Sequence, residues 1–330
     1  MTALAPRLSC LTIPTPFEVG PVNVYVVEGD PLTLVDAGPK TEEAWSALQA
    51  ELAAHGYRLQ DFQQLVLTHA HLDHYGLLNR IVAVTGAPVY AHPRSVWWLE
   101  DTPGEWERRV DFFRALWVQC GVPANKLAAL DHFSHLGVQF AESLPPEAQV
   151  HVADEGDTLT MGGLTWQVLH TPGHAGSHIS FYEPHSRQMI AGDHLLLKIS
   201  SNPLLEPPIG VQQRARSLVD YIASLKRVAA LDVSVAWPGH GPAIYDHRSL
   251  IATRLEHHAS RSAYIASLLA DSPLTAYELC MRLFPKLPLG QLFLGLSEVI
   301  GHLDVLELEG RVRETPQDDG SVRYHLRPPG

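Results

Sequence analysis

The sequence contains little cysteine: Cys10, Cys120 and Cys280 are the only three among 330 residues. A small, odd and widely spaced set does not predict a disulfide framework, and it offers no cysteine-rich zinc site. Long apolar runs are also absent, since no segment approaches the roughly 18 residues that span a bilayer. The first residues show no basic segment followed by an apolar one. We therefore expect no signal peptide, no membrane partner and a cytoplasmic location.

Positive charge is scarce as well. The chain has 24 Lys and Arg against 36 Asp and Glu, which gives a formal net charge of −12. Proteins that hold a nucleic-acid backbone usually present a basic patch, because neutralised phosphates supply most of the affinity. We therefore expect a small-molecule substrate and no nucleic-acid partner. The length of 330 residues exceeds the roughly 250–300 residues at which a single core stops growing, so we expect one large domain with a smaller appendage.

Histidine, in contrast, is abundant, with 19 residues, and the densest group is His69-x-His71-x-Asp73-His74. This group follows a short apolar run, Leu65 to Leu67, which predicts a buried strand leading into a turn. Side chains in such a turn converge on one region of space. Imidazole and carboxylate are ligands that suit zinc, manganese or iron.

Three further metal-ligating side chains each follow a predicted strand. They lie in Thr171-Pro172-Gly173-His174, in Ala191-Gly192-Asp193 and in Pro238-Gly239-His240-Gly241. Each has small, turn-forming neighbours, as expected where the backbone closely approaches a ligand. One such turn alone is weak evidence, but the set points to a metal site.

Together these motifs resemble the metallo-β-lactamase superfamily over about residues 10–250. The resemblance implies two divalent metal ions, with zinc preferred and manganese or iron as alternatives. It assigns the first ion to His69, His71 and His174, the second to Asp73, His74 and His240, and a bridging role to Asp193. A carboxylate at position 193, where the lactamases use cysteine, favours the branch of hydroxyacylglutathione hydrolase, the lactonases and the nucleases.

The implied chemistry is hydrolysis by a hydroxide that bridges the two metals. Asp73 is the predicted catalytic residue: besides binding metal, it orients the nucleophile and helps to protonate the leaving group. Asp36, which ends a strand, matches the residue that supports the metal loop from behind. We expect His178 and His194 to support the site or line its pocket, His92 and His170 to be structural, and His257 and His258 to lie on the surface.

Strands and helices alternate, but hairpins interrupt the alternation. This pattern and the resemblance predict an α/β fold, a four-layer αββα sandwich, with the hydrolase domain at residues 1–254. Residues 93–146 are an inserted helical segment rich in aromatic side chains. We expect this insertion to form a cap with an apolar pocket for an acyl-bearing substrate, to which Trp97 and Trp98 contribute.

Residues 255–330 predict three helices and a β-hairpin, which resemble the winged-helix domain that follows the hydrolase in one branch of the superfamily. This segment has seven Lys and Arg against ten Asp and Glu, and its long helix, 289–308, has no Lys or Arg. Phosphate contacts need cations. We therefore expect it to close the pocket, stabilise the fold or form a homodimer, rather than to bind DNA.

The leading function is thus hydrolysis of an ester, thioester or lactone. A metallo-nuclease or phosphodiesterase that acts on RNA is the alternative. A metal-sensing DNA-binding regulator and a mononuclear iron oxygenase are two further hypotheses. A lactonase of this superfamily would place a tyrosine near position 196, where this chain has Leu196. Tyr75 and Tyr245 are the candidates to replace it.

Overall fold

Two mixed β-sheets form the centre of the fold. The computed structural model describes residues 7–208 and 214–327, without the side chains of residues 133–136. The first sheet contains β1 (Arg7–Ile13), β2 (Val22–Glu28), β3 (Thr33–Val35), β4 (Gln64–Val66), β5 (Val89–Ala91) and β6 (Val150–Val152), in chain order. Its first three strands are antiparallel and the rest are parallel.

The second sheet contains β7 (Thr158–Met161), β8 (Leu164–His170), β9 (Ile179–Glu183), β10 (Gln188–Gly192) and β11 (Val235–Pro238), in the order β11-β10-β9-β8-β7. Only β10 and β11 pair in parallel. A small third sheet near the end of the chain contains β12 (Leu274–Thr275), β13 (Val312–Pro316) and β14 (Val322–Leu326).

The helices of the described ranges are α1 (Glu42–Ala54), α2 (Leu72–Tyr75), α3 (Leu78–Thr85), α4 (Pro93–Glu100), α5 (Thr102–Gln119), α6 (Ala124–Leu136), α7 (Ser217–Ala229), α8 (His247–Leu268), α9 (Ala276–Leu283) and α10 (Leu292–Leu308). Short 3₁₀ turns lie at Leu59–Asp61, Gly137–Phe140 and Leu289–Gln291. The sequence predicts the helix that contains α7 from residue 212, and residues 212 and 213 lie outside the described ranges.

Alternating side chains on the strands build the layers. Tyr25 and Val27 of β2 face the second sheet, where they pack with Trp166 and Phe181. Val24 and Val26 point the other way, into a core that α1 and α3 cover. Helix α7 covers the outer face of the second sheet. Because successive strand residues point to opposite faces, one strand serves two cores, and the predicted four-layer αββα sandwich is confirmed.

The insertion and the C-terminal elements share a separate core. Phe113 and Trp117 of α5 pack there with Leu279, Leu296 and other apolar side chains of α9 and α10. A capping box starts α9, because the Thr275 hydroxyl accepts from Glu278 N and the Glu278 carboxylate accepts from Thr275 N. The aromatic insertion therefore joins the two parts of the molecule.

The boundary predicted between residues 254 and 255 falls inside the continuous helix α8. The domain boundaries therefore stay predictions. Three helices and the small sheet lie where the sequence pattern places them. That this unit is a winged helix also stays a prediction.

One segment corrects the sequence-based prediction on apolar runs. Within the described ranges, Leu289–Leu308 is the one helical stretch long and apolar enough to cross a membrane. However, 61% of that stretch is buried inside the protein. Its apolar side chains pack in the core that it shares with the insertion.

Candidate metal centre and adjoining cavity

The predicted ligands meet at one edge of the sandwich, where several strands end. The loop with His69 follows β4, the loop with His174 follows β8, Asp193 directly follows β10, and His240 follows β11. Asp36 directly follows β3 at the same edge. Residues far apart in sequence therefore come together because their strands end side by side.

The local structure of the histidine motif differs from the predicted turn. Leu72–Tyr75 forms the short helix α2, and His71 is its N-cap residue. Both His74 N and Tyr75 N donate to the His71 carbonyl, at 2.9 and 3.1 Å. The chain therefore starts to coil directly after His71, and Asp73 lies within this helical turn.

The first group of ligand atoms consists of His69, His71 and His174. The His71 Nδ1 atom lies 3.0 Å from His69 Nε2 and 2.9 Å from His174 Nε2. The ligating atoms of the three residues all lie within 4.8 Å of one another. The structure thus brings together the three residues that the sequence assigned to the first metal.

The second group consists of Asp73, His74 and His240, again within 4.8 Å of one another. Asp73 Oδ2 lies 3.2 Å from His240 Nε2. The Asp193 carboxylate lies between the two groups: Oδ2 is 3.4 Å from His174 Nε2, and Oδ1 is 3.5 Å from His74 Nε2. This is the position expected of a bridging carboxylate.

The ring nitrogens that face away from the centre have protein partners. His74 Nδ1 bonds Asp36 Oδ2 at 2.8 Å, and His240 Nδ1 bonds the Pro21 carbonyl at 2.8 Å. His174 Nδ1 faces the Asn202 carbonyl at 3.2 Å. Such bonds fix the tautomer and ring orientation of metal-binding histidines. The Nε2 atoms of these rings therefore point into the centre.

Several of the inward atoms have no partner of their own. His74 Nε2, His240 Nε2 and Asp193 Oδ1 are buried without a hydrogen bond to any residue in the described ranges. Buried polar atoms normally form hydrogen bonds, so a group of them that lie close together without partners needs an explanation. A nitrogen and oxygen donor set fits zinc, manganese or iron(II). The residues present therefore fit a divalent metal centre.

The charges at the centre also suit metal binding. Burial, reinforced by neighbouring histidines, lowers the pKa of His69 and His71 well below the ordinary value. For Asp193, burial opposes ionisation, but His74 and His240 outweigh it and hold the pKa well below its usual range. His69, His71 and Asp193 are thus held in the forms that ligate metals. In contrast, Asp193 outweighs burial and raises the pKa of His74 and His240, so a metal would displace protons from these two rings.

Asp36 and Thr68 hold the histidine loop in place. The Asp36 carboxylate accepts from Thr68 N at 2.8 Å and from the Thr68 hydroxyl, and it also bonds His74. Asp36 has a φ of 63°, a left-handed conformation that is rare for residues other than glycine but more accessible to Asp and Asn. The support predicted for Asp36 is therefore present as a set of contacts.

Some supporting groups could not be found from the sequence. The buried Ser201 hydroxyl donates to the Asp193 carbonyl, and Asn23 Nδ2 donates to the Pro238 and Gly241 carbonyls beside His240. Neither residue has a role predicted from the sequence, and only the folded structure shows these contacts.

The remaining histidines have mixed outcomes. His178 Nε2 accepts from Asp193 N at 3.0 Å, so it supports the site. His194 is fully buried and is not among the residues that line the cavity described below. His92 caps α4 by accepting from Arg94 N, and its ring stacks on His170. The prediction that His258 lies on the surface is wrong, because α8 turns it into the protein, where it is 6% exposed.

A cavity of about 550 Å³ opens from the metal centre. His71 and Asp73 line one end, and Trp98, Trp106 and Phe113 of the insertion line a wall. Phe293 and Leu294 of α10 close another side. The volume lies in the range of small-molecule sites, which are mostly apolar with a few placed polar groups. The expected cap with an apolar pocket is therefore present as a geometric feature.

Trp97 corrects part of that expectation. Its side chain is 40% exposed and lies with Glu100 and Arg108 in a separate surface depression. Adjacent residues on a helix point about 100° apart, so Trp98 faces the cavity and Trp97 does not. Neither Tyr75, which is fully buried, nor Tyr245, which is 74% exposed, lines the cavity.

Comparison with known families agrees with this geometry. Residues 17–240 match the metallo-beta-lactamase superfamily. Residues 263–327 match the metallo-beta-lactamase-like C-terminal domain.

Individual relatives extend over most of the chain. The "Probable metallo-hydrolase YqjP" of Bacillus subtilis (strain 168) is 40% identical over 322 residues, which are 95% of this chain and 96% of that protein. The hydroxyacylglutathione hydrolase of Methylobacterium nodulans is 27% identical over 231 residues, 70% of this chain and 67% of that protein. The crystal structure of the metallo-beta-lactamase family protein TTHA1429 from Thermus thermophilus is 29% identical with a TM-score of 0.78, covering 97% of this chain and 98% of that one.

Proposed function

The chain belongs to the metallo-β-lactamase superfamily, and from this premise we propose that it is a binuclear hydrolase of acyl esters or thioesters. A metallo-hydrolase is the broader class that its relatives and its cluster of His and Asp side chains support. The observation that carries the narrower proposal is the apolar cavity that leads from the ligand cluster.

Two groups of ligands would hold the metals. His69, His71 and His174 form the first group, and Asp73, His74 and His240 form the second. Asp193 lies between them. When bound, two such ions supply an activated water as nucleophile and polarise the acyl carbonyl.

Asp73 is the side chain positioned to transfer a proton from the attacking water to the leaving group. It lines the cavity and lies beside His240. Burial opposes its ionisation, but His74 and His240 outweigh this effect and lower its pKa, so Asp73 is a carboxylate at neutral pH. In that form its Oδ atoms orient the attacking water, accept its proton and return the proton to the leaving alkoxide or thiolate.

The cavity walls favour an acyl group over a nucleic acid. Trp98, Trp106 and Phe293 offer apolar surface to a hydrocarbon chain. Arg109 is the only Lys or Arg among the lining residues within the described ranges, whereas Glu18, Asp73 and Glu206 also line the cavity. A phosphodiester backbone would meet more negative than positive charge here.

A relative supports thioesters as substrates. The Methylobacterium nodulans protein, with 27% identity over 70% of this chain, is named as a hydroxyacylglutathione hydrolase. Lactones have less support, since the tyrosine expected near position 196 is replaced by the buried Leu196 and no substitute lines the cavity. A phosphodiesterase that acts on RNA remains the second candidate, because the same metals would serve that reaction.

The test compares two probes on the zinc-loaded protein: an activated acyl thioester and bis-p-nitrophenyl phosphate. We expect thioester cleavage that is lost in His69→Ala, with little or no phosphodiester cleavage. Phosphodiester cleavage alone, also lost in His69→Ala, would overturn the acyl proposal and make RNA the next substrate to test. The manganese-loaded protein is measured in parallel, because the donor set does not distinguish these metals.

A further inference from the structure

One cation lies in the apolar cavity and has no role in the chemistry proposed above. Arg109 is on α5, between Trp106 and Phe113, and all three side chains line the cavity. Residues 106, 109, 110 and 113 follow helical spacing, so one face of α5 forms this wall. The Arg109 guanidinium carbon lies 4.9 Å from the centre of the Phe113 ring.

The guanidinium has no fixed anionic partner. In the part of the chain that the structure describes, no hydrogen bond or ion pair holds it. Glu206 shares the cavity and attracts Arg109, but its Oε2 atom accepts from Gly176 N at 2.8 Å, and burial raises the pKa of this carboxyl and so disfavours its charged form. Burial lowers the pKa of Arg109, and Glu206 only partly offsets that effect. Arg109 is partly buried, and a charge withdrawn from water without a partner costs free energy, so this arrangement favours a ligand that supplies one.

The position of Arg109 relative to the metal centre defines what it would contact. Arg109 lines the same cavity as His71 and Asp73, so one ligand in that cavity can reach both the guanidinium and the metal site. A substrate whose acyl carbonyl is at the metals would extend its chain along Trp98 and Phe113. Arg109 would then meet a group on the acyl part of that substrate.

We propose that Arg109 binds a carboxylate on the acyl chain, so that the substrate is an ester or thioester of an apolar acid with a second, free carboxyl group. This proposal rests on the proposed acyl hydrolysis and adds the substrate class. Guanidinium binds a carboxylate through two parallel hydrogen bonds, and such pairs are strongest out of water. A single cation beside Glu206 suits one negative charge better than the two of a phosphate monoester.

A binding experiment tests Arg109 without requiring turnover. The ligands are 7-oxooctanoate and 2-octanone, two ketones of equal chain length of which only the first ends in a carboxylate. Binding to the zinc-loaded protein is followed by calorimetry and by the fluorescence of the tryptophans in the cavity wall. Arg109→Gln removes the charge and keeps a polar side chain of similar length. Arg114→Gln, on the same helix but in exposed ion pairs with Asp111 and Asp131, is the matched control.

The wild type should bind 7-oxooctanoate about 10- to 100-fold more tightly than 2-octanone, as expected for hydrogen bonds to a charged group. Arg109→Gln should remove this difference and leave 2-octanone binding within about threefold. Arg114→Gln should behave as the wild type. Equal binding of the two ketones by the wild type, or a preference that survives in Arg109→Gln, would overturn the proposal.

A hydrolysis assay distinguishes failure of the carboxylate site at Arg109 from failure of the proposed hydrolase activity. The probes are the 4-nitrothiophenyl thioesters of hexanoic acid and of adipic acid, which differ only at the far end of the chain. We expect a higher kcat/KM for the adipic thioester than for the hexanoic thioester. In Arg109→Gln, the KM values of the two thioesters should become more alike, while cleavage of the hexanoic thioester continues. Cleavage of both thioesters at equal rates would refute the carboxylate site and leave the hydrolase intact. If neither is cleaved while 7-oxooctanoate still binds through Arg109, the site stands and the acyl hydrolase fails.

Discussion

At the scale of single residues, the candidate metal centre depends on side chains outside its set of ligands. Asp36 accepts three hydrogen bonds at once, from Thr68 N, the Thr68 hydroxyl and His74. Its carboxylate thereby ties the end of β3 to the histidine loop after β4. Removing its charge while keeping its backbone conformation isolates this effect.

Asp36→Asn is such a change, because asparagine also tolerates the left-handed conformation at φ 63°. The amide keeps one acceptor oxygen and replaces the other by a donor, which faces His74 Nδ1. We expect the variant to bind zinc about 10- to 100-fold more weakly, which is the usual effect of removing a hydrogen-bond partner of a metal-binding histidine. Competition against a chelator measures the affinity, and circular dichroism checks the fold. A folded variant with unchanged affinity would contradict the role given to Asp36.

Gly239 makes room for the Asp193 carboxylate. A Cβ atom at this position would overlap Asp193 Oδ1 and press on the His74 ring. We therefore expect Gly239→Ala to displace Asp193 and to reduce the metal bound per chain, measured by inductively coupled plasma mass spectrometry. Gly241→Ala is the control: its Cβ meets no atom within 4 Å, although its φ of 77° adds strain of about 1–2 kcal/mol. Equal metal content in the two variants would refute this steric explanation.

At the scale of elements, α4 presents neighbouring tryptophans to different surroundings. Trp98 lines the cavity, whereas Trp97 is 40% exposed beside Glu100. We expect Trp98→Ala to raise KM for an acyl thioester about tenfold or more, since a large aromatic contact is lost. Trp97→Ala should leave KM nearly unchanged. Metal content is measured in both variants, and a lower content in Trp98→Ala would mean that the residue supports the centre rather than the substrate.

Helices α8 and α10 bury a pair of histidines. Burial lowers the pKa of His258 to about 4 and that of His302 to about 3. His302 bonds the Ser262 hydroxyl, while both His258 ring nitrogens lack a hydrogen bond to any described residue. In the unfolded chain both would titrate near 6.5. As pH falls below 6.5, these histidines become protonated in the unfolded state but stay neutral in the folded state. The free energy of unfolding therefore decreases.

We expect His258 to contribute up to about 1.4 kcal/mol of lost stability per pH unit between its unfolded and folded pKa values. Above that window its contribution vanishes, because the ring is neutral in both states. His258→Asn should therefore flatten the dependence of unfolding free energy on pH between about 6.5 and 4. Thr253→Asn, at an exposed position of the same helix that carries no titratable group, should not. Denaturant unfolding at several pH values gives the slopes, and identical slopes in the two variants would contradict this assignment.

The sequence predicts elements well where the signal is local. Thr41 caps α1 by accepting from Ala44 N, and Gly86 ends α3 in the left-handed conformation, as the sequence indicates. Each of the four turns that contain candidate ligands is also a local signal, and the resemblance of the whole set to a superfamily assigned their roles. Arg109 and Asn23 could not be identified in this way, because their roles come from packing between segments far apart in the chain. The sequence provides one indication of the position of Arg109: by helical spacing, it shares a face of its helix with aromatic residues.

At the scale of the whole molecule, the C-terminal unit is part of the site rather than a separate module. Phe293 of α10 lines the cavity, and Asn202 Nδ2, next to the metal centre, donates to the Leu294 carbonyl at 3.2 Å. Arg214 forms two hydrogen bonds with Asp304, at 2.6 and 2.7 Å. The pocket-closing role expected of this unit is therefore supported by its contacts. A homodimer and a cytoplasmic location stay predictions.

The central claim is that two metal ions act together at this cluster. Titrating the metal-free protein with zinc while following hydrolysis of an acyl thioester tests it directly. We predict that activity reaches its plateau at two equivalents of zinc per chain, and that His240→Ala, which removes a ligand of the second group, reaches neither that stoichiometry nor that rate. A plateau at one equivalent, or hydrolysis that does not depend on zinc, would contradict the account.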